Sequence, residues 1–356
     1  MQLIVRKADP TLVSDFIDFS KSEYSSGSAI DHDYVRWRHL ESPCGPSMSV
    51  ELHKADQQIG RIWVQSNFWN FDRHELRVAS PIDLLIHPNF RKTMNFMSLL
   101  NSGMKTALSE SDLVLHTSNP TTDGLYRNFL KLSPVAELDG ALFPLRPINL
   151  CKAKLGIRIP RLSHTLNWTY KKFVGFFAAF VSDQIKLIDT PSIAIQDQIV
   201  DSFHMNEPFA SRRNLADRNW RYSEESIFHY QTQWIGKANS PVGYLVWSDR
   251  EVDGIIGRFI IDIVLGEDLS RSMFLSMWGK IIKSSLNADI DSIFFFFNSK
   301  CSSLKRIAGF PLLRVKRSRL PQQIPIFVRL KDDTEHEGLT EAISKGYFVL
   351  SDLDMF

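Results

Sequence analysis

The sequence predicts an α/β (α+β) fold made of two tandem copies of one domain, each a mixed, mostly antiparallel twisted sheet flanked by helices. Three observations indicate this class. Landmarks repeat in one order, since the Trp-Arg pairs at Trp37 and Trp220 and the glycines Gly60 and Gly243 each lie 183 residues apart. Strand patterns come first in adjacent pairs and then alternate with helical patterns, which indicates a mixed sheet. At 356 residues the chain is long enough for two domains, each with its own core.

Two further landmarks interrupt or end apolar strand patterns and support the duplication. Asp83 in PIDLLI corresponds to Asp262 in FIIDIV, and Asn119 corresponds to Asn298, each after 179 residues. Four matches at two adjacent offsets favour a duplicated domain over a solenoid, whose repeats are far shorter. The predicted limits are residues 1–147 for the first domain, 148–190 for a linker and 191–356 for the second domain. Each landmark tryptophan is expected to anchor a helix-to-strand junction in the core of its own copy.

The periodicity of the first copy places its elements in order. Apolar residues recur on one helical face over residues 10–23. Alternating patterns on both sides of the polar turn Asp56-Gln57-Gln58 predict two strands. The predicted order is a helix at 10–23, strands at 47–55, 59–68 and 77–87, a helix at 94–109, a strand at 113–117, a helix at 123–131 and a last strand in LFPLRP.

The second copy repeats this order. Its apolar strand patterns again precede a long amphipathic stretch and a short, fully apolar strand, IFFFF. The predicted elements are strands at 228–235, 241–247 and 256–265, a helix at 269–286, a strand at 292–297, a helix at 301–307 and the last strand PIFVRL.

Composition excludes several classes of protein. The hydrophobic content of 44% and the charged content of 23% are typical of a globular protein. A net charge of +2 gives no reason to expect nucleic acid as a partner. The three cysteines are isolated and lack the spacing of metal ligands, so no metal site is expected. The same pattern favours a reducing, cytoplasmic location. No secretory signal pattern opens the sequence.

The linker between the copies departs from globular composition. Residues 152–172 contain six Lys or Arg and no Asp or Glu, and an apolar stretch follows that is too short to span a bilayer. One interpretation is an interdomain helix that packs on the copies. The other is a basic amphipathic helix over 152–180 that lies on the inner face of an anionic membrane.

Short motifs in both copies resemble those of the GNAT acyltransferase superfamily. Residues 83–91, DLLIHPNFR, are similar to the family signature D-L-x-V-H-P-x-x-R-G-x-G. Residues 119–126, NPTTDGLY, resemble N-x-x-(S/T)-x-x-x-Y, and Gly309-Phe310 matches the Gly-Phe that ends this motif in the family. Residues 37–45, from the Trp-Arg pair through ESP to a glycine, also resemble tandem members associated with bacterial polysaccharide and cell-surface biosynthesis.

The resemblance implies an acyl donor, acetyl-CoA or another acyl-CoA, in the first copy. In this family the fourth and fifth strands splay apart and hydrogen-bond the pantetheine arm as if it were a strand. The amides that open the next helix face the pyrophosphate. The implied binding residues are Leu85, Ile86, Arg91, Lys92, Thr93, Met94, Asn95, Phe96 and Asn119.

The loop after Arg91 departs from the family pattern in both copies. Lys92, Met94 and Phe96 stand where glycines or small residues are usual, so the Met94 side chain must point away from the phosphates. In the second copy Glu267 and Asp268 precede the helix, and their carboxylates would repel a pyrophosphate. The acyl donor is therefore expected in the first copy only.

Acyl transfer from a thioester needs a base for the attacking group and an acid for the departing thiolate. The resemblance places Tyr126 at the acid position, where the second copy has Lys305. Asp83 is the candidate base because it interrupts an apolar strand where the family often carries an acidic residue. The alternatives are a half-buried helix tyrosine and a structural carboxylate that pairs with Arg36 or Arg38.

Two classes of function follow from these residues. The first is an acyltransferase that moves an acyl group from acyl-CoA or a pantetheine carrier to an amine or hydroxyl of a sugar or amino-acid derivative. The second is a non-catalytic GNAT-like protein that binds a ligand or partner. A third reading, an aminoacyl transferase that uses charged tRNA, is disfavoured by the near-neutral charge.

Overall fold

The computed structural model describes residues 1–128, 130–155, 163–180, 184–222, 228–237, 240–317, 320, 323–331 and 338–353. Among the described residues, three successive strands in each half of the chain precede strands that alternate with helices, as the sequence predicts. The strands are β1 Gln2–Lys7, β2 Met48–Lys54, β3 Gln57–Phe71, β4 His74–Ile86, β5 Leu113–Thr117, β6 Ala136–Pro144, β7 Ile185–Ile188, β8 Phe209–Ser211, β9 Gln231–Lys237, β10 Ser240–Val252, β11 Ile255–Leu265, β12 Ser292–Asn298, β13 Leu313–Val315 and β14 Pro325–Leu330.

The α-helices include several that periodicity did not predict, among them the one that carries the first Trp-Arg pair. Part of the predicted basic linker, residues 156–162, and residue 129 of a predicted helix lie outside the described residues. The helices are α1 Pro10–Ser20, α2 His32–Leu40, α3 Thr93–Glu110, α4 Pro120–Asn128, α5 Pro147–Leu155, α6 Ser163–Phe180, α7 Ile193–Asn206, α8 Leu215–Arg221, α9 Arg271–Asn287, α10 Ser302–Ile307 and α11 Leu339–Ser344.

Side-chain caps explain where the first helices begin. Asp9 accepts a hydrogen bond from the amide of Leu12 at 2.7 Å, and Pro10 suits the first turn of α1. Asp31 caps α2 in the same way through the amide of Tyr34 at 2.8 Å. Because α2 contains only a weak apolar stripe, its cap and its tertiary contacts define it better than its periodicity does.

The chain forms two compact units that interleave along the sequence. Unit 1 comprises Met1–Ala136, Pro208–Ile227 and Ile324–Ser344, and unit 2 comprises Glu137–Glu207, Phe228–Gln323 and Lys345–Phe356. The order of strands in unit 1 is β1-β2-β3-β4-β5-β14, and in unit 2 it is β6-β12-β11-β10-β9-β7. In each of these orders one pair is parallel, β4 with β5 and β11 with β12, and the other pairs for which a register is given are antiparallel.

The last strand of each sheet differs from the sequence expectation. LFPLRP and PIFVRL are predicted to close the sheets of their own copies, but β14 pairs with β5 in unit 1 and β6 pairs with β12 in unit 2. The predicted limits at 147 and 191 therefore do not coincide with the compact units. Strand propensity identifies these segments as strands, whereas the choice of partner depends on contacts distant in sequence.

The two landmark glycines lie where the third and fourth strands of each order approach closely. A Cβ atom on Gly243 would lie 2.1 Å from the carbonyl oxygen of Val264, which is sterically impossible without a shift. A Cβ on Gly60 would lie 3.3 Å from the carbonyl oxygen of Leu85 and from the Leu99 side chain. The repeat of glycine thus reflects one steric requirement at matching positions.

The two landmark tryptophans pair with each other inside unit 1. The indole of Trp37 donates to the carbonyl of Trp220 at 2.7 Å, and the indole of Trp220 donates to the carbonyl of Trp37 at 3.0 Å. The rings stack with centroids 5.2 Å apart. The expectation of two separate anchors is therefore wrong, because α8, which carries Trp220, belongs to unit 1.

Candidate functional site

The candidate site lies where β4 and β5 diverge in unit 1. Only two residue pairs join these parallel strands, Val78 with Leu113 and Ala79 with Val114. Just beyond them the hydroxyl of Ser80 donates to the carbonyl of Leu115 at 2.7 Å. We call the space between residues 80–86 of β4 and 115–117 of β5 the first cleft. Its walls expose backbone groups that a strand-like ligand would pair with.

The loop after β4 leads to an uncapped helix. Lys92 is the N-cap residue of α3, and its side chain makes no capping hydrogen bond. The amides of Asn95 and Phe96 donate to the carbonyl of Lys92 at 3.0 and 3.1 Å. Thr93 and Met94 occupy the first helical positions, where the helix itself offers their amides no acceptor. Among the amides predicted to bind phosphate, those of Thr93 and Met94 therefore have no hydrogen-bond acceptor within the helix.

The Met94 side chain does not fill the loop. It is 79% exposed, as the sequence requires if the helix start is to stay accessible. Asn95, by contrast, is buried, and its side-chain amide donates to the carbonyl of Phe90 at 2.8 Å. Asn95 therefore holds the loop against α3, which fixes the position of the two free amides.

Arg91 is partly engaged in the protein itself. Its Nε donates to the carbonyl of Ile86 at 3.2 Å, and its guanidinium forms an ion pair with Glu23. This hydrogen bond lowers the pKa of the Glu23 carboxyl. The Arg91 side chain is half-exposed, so a phosphate would compete with Glu23 for it. Sequence reasoning missed Glu23 because it lies 68 residues away, beyond the end of α1.

Asp83 occupies a β-bulge in β4. The register of β3 against β4 skips between Arg61 and Trp63, so Asp83 and Leu84 both lie opposite Ile62. The φ angle of Asp83 is +50°, in the left-handed region that aspartate tolerates better than most residues. Such bulges re-aim a side chain next to functional sites. This local geometry explains why an acidic residue interrupts an apolar strand.

The Asp83 carboxylate pairs with two side chains of α2. Its Oδ2 lies 3.3 Å from His39 Nε2 and 3.7 Å from Arg38 Nε, while its own side chain is 33% exposed. Burial raises the pKa of Asp83, but Arg38 and His39 outweigh burial and lower it to about 2. The pairing with Arg38 is the alternative that the sequence left open. A carboxylate with so low a pKa is a weak proton acceptor.

Two buried side chains, His39 and Arg61, pack beside Asp83 and were not identified from the sequence. His39 is fully buried, stacks on Trp63 at 4.2 Å and contacts Ser47 through Nδ1 at 3.2 Å; burial lowers its pKa. Arg61 is also fully buried, with its guanidinium 4.0 Å from the ring of Phe16. Arg61 directly follows the landmark Gly60, so a charged residue inside an apolar strand was the available signal.

Tyr126 lies in the hydrophobic core of unit 1, against α3 and β5. Its ring packs on His116 at 4.6 Å and stacks on Phe327 at 5.4 Å. Burial raises the pKa of Tyr126 to about 12, so its hydroxyl stays protonated at physiological pH. Burial also lowers the pKa of His116 to about 3, and neither of its ring nitrogens has a hydrogen-bond partner among the described residues.

The remaining predicted binding residues lie around the same cleft. Leu85 and Ile86 are buried in the sheet, so only their backbone groups can face a ligand. Asn119 is exposed at the start of α4, where its side chain accepts from the amide of Thr122 at 2.9 Å. Among the described residues, no group of three or more His, Cys, Asp or Glu side chains is arranged to hold a metal ion.

Comparison with known proteins gives a fold but no sequence relative. No protein-family model matches the chain, and no curated protein matches it. A GCN5-related N-acetyltransferase from Anabaena variabilis is similar in structure, with 12% identity, 93% of this chain and 73% of that chain covered, and a TM-score of 0.61. A conserved protein of unknown function from Enterococcus faecalis, described as a probable N-acyltransferase, has 12% identity, coverages of 94% and 74%, and a TM-score of 0.59.

A third similar structure is the N-myristoyltransferase of Saccharomyces cerevisiae with bound myristoyl-CoA. It has 8% identity, covers 92% of this chain and 82% of that chain, and has a TM-score of 0.59. At these identities the likeness establishes the fold. The chain therefore has a GNAT fold with mixed, mostly antiparallel pairing and flanking helices, as its sequence predicts.

Proposed function

We propose that the protein is an acyltransferase that uses acyl-CoA, or a pantetheine-bearing carrier, as donor and binds it in unit 1. The observation that carries this proposal is the first cleft, where β4 and β5 diverge next to the uncapped start of α3. A pantetheine arm pairs with backbone like a strand, and a pyrophosphate suits free amides at a helix start. Lys92 and the half-exposed Arg91 add positive charge beside these amides.

The two faces of the sheet divide the work in this proposal. The donor lies on the face covered by α3, and the acceptor approaches from the face covered by α1 and α2, where Asp83 is exposed. Asp83 accepts a hydrogen bond from the attacking amine or hydroxyl and takes its proton as the new C–N or C–O bond forms. The C–S bond breaks, and the departing thiolate gains a proton from the hydroxyl of Tyr126.

The pKa values of Asp83 and Tyr126 determine how much each residue contributes to the proposed reaction. The low pKa of Asp83 makes it a weak base, so much of its effect comes from orienting the acceptor. The high pKa of Tyr126 keeps its proton in place until negative charge develops on sulfur. We further propose a small acceptor, sugar-linked or derived from an amino acid, in keeping with the resemblance to tandem members from polysaccharide biosynthesis.

Calorimetric titration with acetyl-CoA and longer acyl-CoAs tests this proposal directly. We expect one equivalent to bind per chain, with transfer to at least one member of a panel of amine and sugar acceptors. Chain-length preference in the same titration identifies the acyl group. An absence of binding across the donor series would contradict the enzyme and favour the second function.

That second function is a non-catalytic binding protein with this fold. Three contacts favour it, since Arg91 is paired with Glu23, Asp83 is paired with α2, and Tyr126 is buried in the core. In this case the first cleft binds a ligand that lacks a pyrophosphate. Titration with a carboxylate or peptide panel, in place of acyl-CoA, would then give saturable heat.

We also propose that α6 contacts an anionic membrane surface, in a cytoplasmic protein. None of the helices among the described residues is both long and apolar enough to cross a bilayer. Yet four large apolar side chains of α6 are exposed: Leu166 by 46%, Trp168 by 54%, Phe173 by 68% and Phe176 by 66%. Lys172 lies over the ring of Trp168, which combines positive and apolar surface as at membrane interfaces.

Vesicle flotation separates this surface from a helix that packs on protein. We expect the chain to float with vesicles that contain anionic lipid and not with neutral vesicles of the same size. Phe173→Ser and Phe176→Ser together should abolish flotation, whereas Thr169→Ser on the same exposed face should not. Flotation that does not depend on lipid charge, or that persists when both phenylalanines are replaced, would contradict this proposal.

A further inference from the structure

The matching pair of parallel strands in unit 2 also diverges, but its gap is filled. β11 and β12 pair over four residues and separate after Ile260 and Phe295. β6 occupies one edge of β12 along its whole length, from Ser292 to Asn298. The other edge of β12 is thus vacated by β11 over residues 296–298. We call the space between this edge and residues 261–265 of β11 the second cleft.

Residues 346–350, which we call the closing segment, bond to the β12 side of this cleft. The amide of Asn298 donates to the carbonyl of Phe348 at 3.1 Å, and its side-chain amide donates to the carbonyl of Gly346 at 2.9 Å. Phe297 and Val349 form an isolated antiparallel bridge. The segment thus runs along β12 as a short added strand.

The closing segment also bonds to the β11 side. The hydroxyl of Tyr347 donates to the carbonyl of Ile263, and the Tyr347 ring packs edge-on against Phe203 of α7 at 4.9 Å. Tyr347, Phe348 and Val349 are all buried. Bonds to both walls place the segment inside the second cleft, in the position that a pantetheine arm would take between diverging strands.

The start of the following helix is closed as well. Ser270 caps α9 by accepting from the amide of Met273 at 3.3 Å. Beside the second cleft a small cavity of about 20 Å³ is lined by apolar side chains together with Glu267, Asp268 and Arg306, and Arg306 is held by Asp268. The helix start therefore offers carboxylates where a pyrophosphate needs donors.

We infer that the second cleft binds an extended polypeptide strand, the closing segment, in place of acyl-CoA. The segment bonds to backbone groups on both sides of the divergence, the amide of Asn298 and the carbonyl of Ile263, so these groups need no cofactor as a partner. Only one part of this inference rests on the proposed function, namely that the ligand excluded by the segment is acyl-CoA. It means that one acyl-CoA binds per chain.

Hydrogen–deuterium exchange measured by mass spectrometry tests the closing segment. We compare the full chain with a chain that ends at Ser344. Loss of the segment should raise exchange at Asn298 by about 100-fold or more, because that amide loses its acceptor, while the pairs from Gly257 to Ile260 stay protected. A synthetic peptide of residues 345–353 should restore slow exchange, and acetyl-CoA should not.

Point variants of the full chain keep the test valid if the shortened chain does not fold. Tyr347→Phe removes only the hydroxyl and should speed exchange at Asn298 by about 2- to 10-fold, whereas Tyr347→Ala, which also loses the ring, should speed it further. Tyr170→Phe on the half-buried face of α6 is the control and should change nothing at Asn298.

Three results would overturn the inference. They are unchanged exchange at Asn298 in both Tyr347 variants, slowing of exchange by acetyl-CoA in place of the peptide, and two equivalents of acyl-CoA bound to the full chain. Failure of the proposed function looks different, because the full chain would then bind no acyl-CoA while exchange at Asn298 still responds to the segment.

Discussion

The first and second clefts share one backbone plan and differ in what satisfies it. In unit 1 only the Ser80 hydroxyl bridges the diverging strands among the residues that the structure describes, and α3 starts without a side-chain cap. In unit 2 the closing segment bonds to both strands, and Ser270 caps α9. Backbone groups exposed between strands need a partner, and each unit provides for that need differently. The comparison supports the proposal that unit 1 binds the acyl donor and the inference that the closing segment fills the second cleft in unit 2.

Tyr126 gives the largest expected effect and tests this comparison at the reacting atoms. Tyr126→Phe should lower turnover by about 100-fold while acyl-CoA binding stays nearly unchanged, because the hydroxyl acts mainly in the transition state. The ring is kept, so core packing against His116 and Phe327 is preserved. Steady-state kinetics and calorimetry measure both quantities.

The matched control for this variant is in unit 2. Lys305 stands at the position equivalent to Tyr126 and is exposed on α10. Lys305→Ala should leave turnover unchanged. Equal losses in the two variants, or an unaffected Tyr126→Phe, would break the assignment of chemistry to unit 1.

Arg91 gives the next largest effect and concerns binding. Arg91→Ala should weaken acyl-CoA binding by about 1.5 to 3 kcal/mol, or roughly 10- to 100-fold, because a charge-assisted contact is lost. Glu23→Gln should strengthen binding, since it frees Arg91 from its ion pair. Calorimetric dissociation constants decide both.

Arg271 supplies the control for Arg91. It begins α9 in unit 2 and is exposed. Arg271→Ala should leave the affinity for acyl-CoA unchanged. An affinity loss equal to that of Arg91→Ala would indicate that the phosphates bind in unit 2 and would contradict the proposal.

Asp83 predicts a pH-dependent change in stability. Its folded-state pKa is lowered from 3.8 to about 2, so its contribution is present above the ordinary pKa and is lost as pH falls through the folded value. Because the side chain is 33% exposed, we expect Asp83→Asn to destabilise by only about 1 to 2 kcal/mol at pH 7. Denaturant midpoints should converge with those of the wild type toward pH 2.

Activity separates the two roles of Asp83. As a base or orienting group, its loss lowers turnover well beyond the loss of folded protein. As a purely structural carboxylate, its loss lowers activity only in proportion to stability. Asp262→Asn in unit 2 is the reference, because this carboxylate is fully buried and accepts from the amide of Ile263 at 3.0 Å.

The tryptophan pair gives the smallest effect and tests the symmetry of the landmarks. Trp37→Phe and Trp220→Phe each remove one indole donor and leave one carbonyl without it. Each should lower the free energy of unfolding equally, by about 1 kcal/mol. A double-mutant cycle in urea should show coupling between the two sites. Unequal losses would mean that the two reciprocal hydrogen bonds contribute unequally to the free energy of unfolding.

The sequence by itself determined the mixed fold, the order of most strands and the repeated landmarks. Period-2 and helical patterns report which side of an element is buried, and that information is local. Gly60, Gly243 and Asp83 stood out in the sequence because exceptions within a regular strand show in the residue type itself. The close approaches and the bulge that explain them appear only in the structure. The first cleft and its loop were predicted from the resemblance of residues 83–91 and 119–126 to the GNAT motifs.

The tertiary structure alone decided which segments pair and what occupies each cleft. The exchange of β6 and β14, the stacking of Trp37 on Trp220 and the pairing of Arg91 with Glu23 join residues distant in sequence, and no local pattern encodes the partner. The closing segment follows the same rule, since Tyr347 reaches Ile263 across 84 residues. Backbone hydrogen-bonding groups are alike in every residue, so only packing selects which strand satisfies which edge.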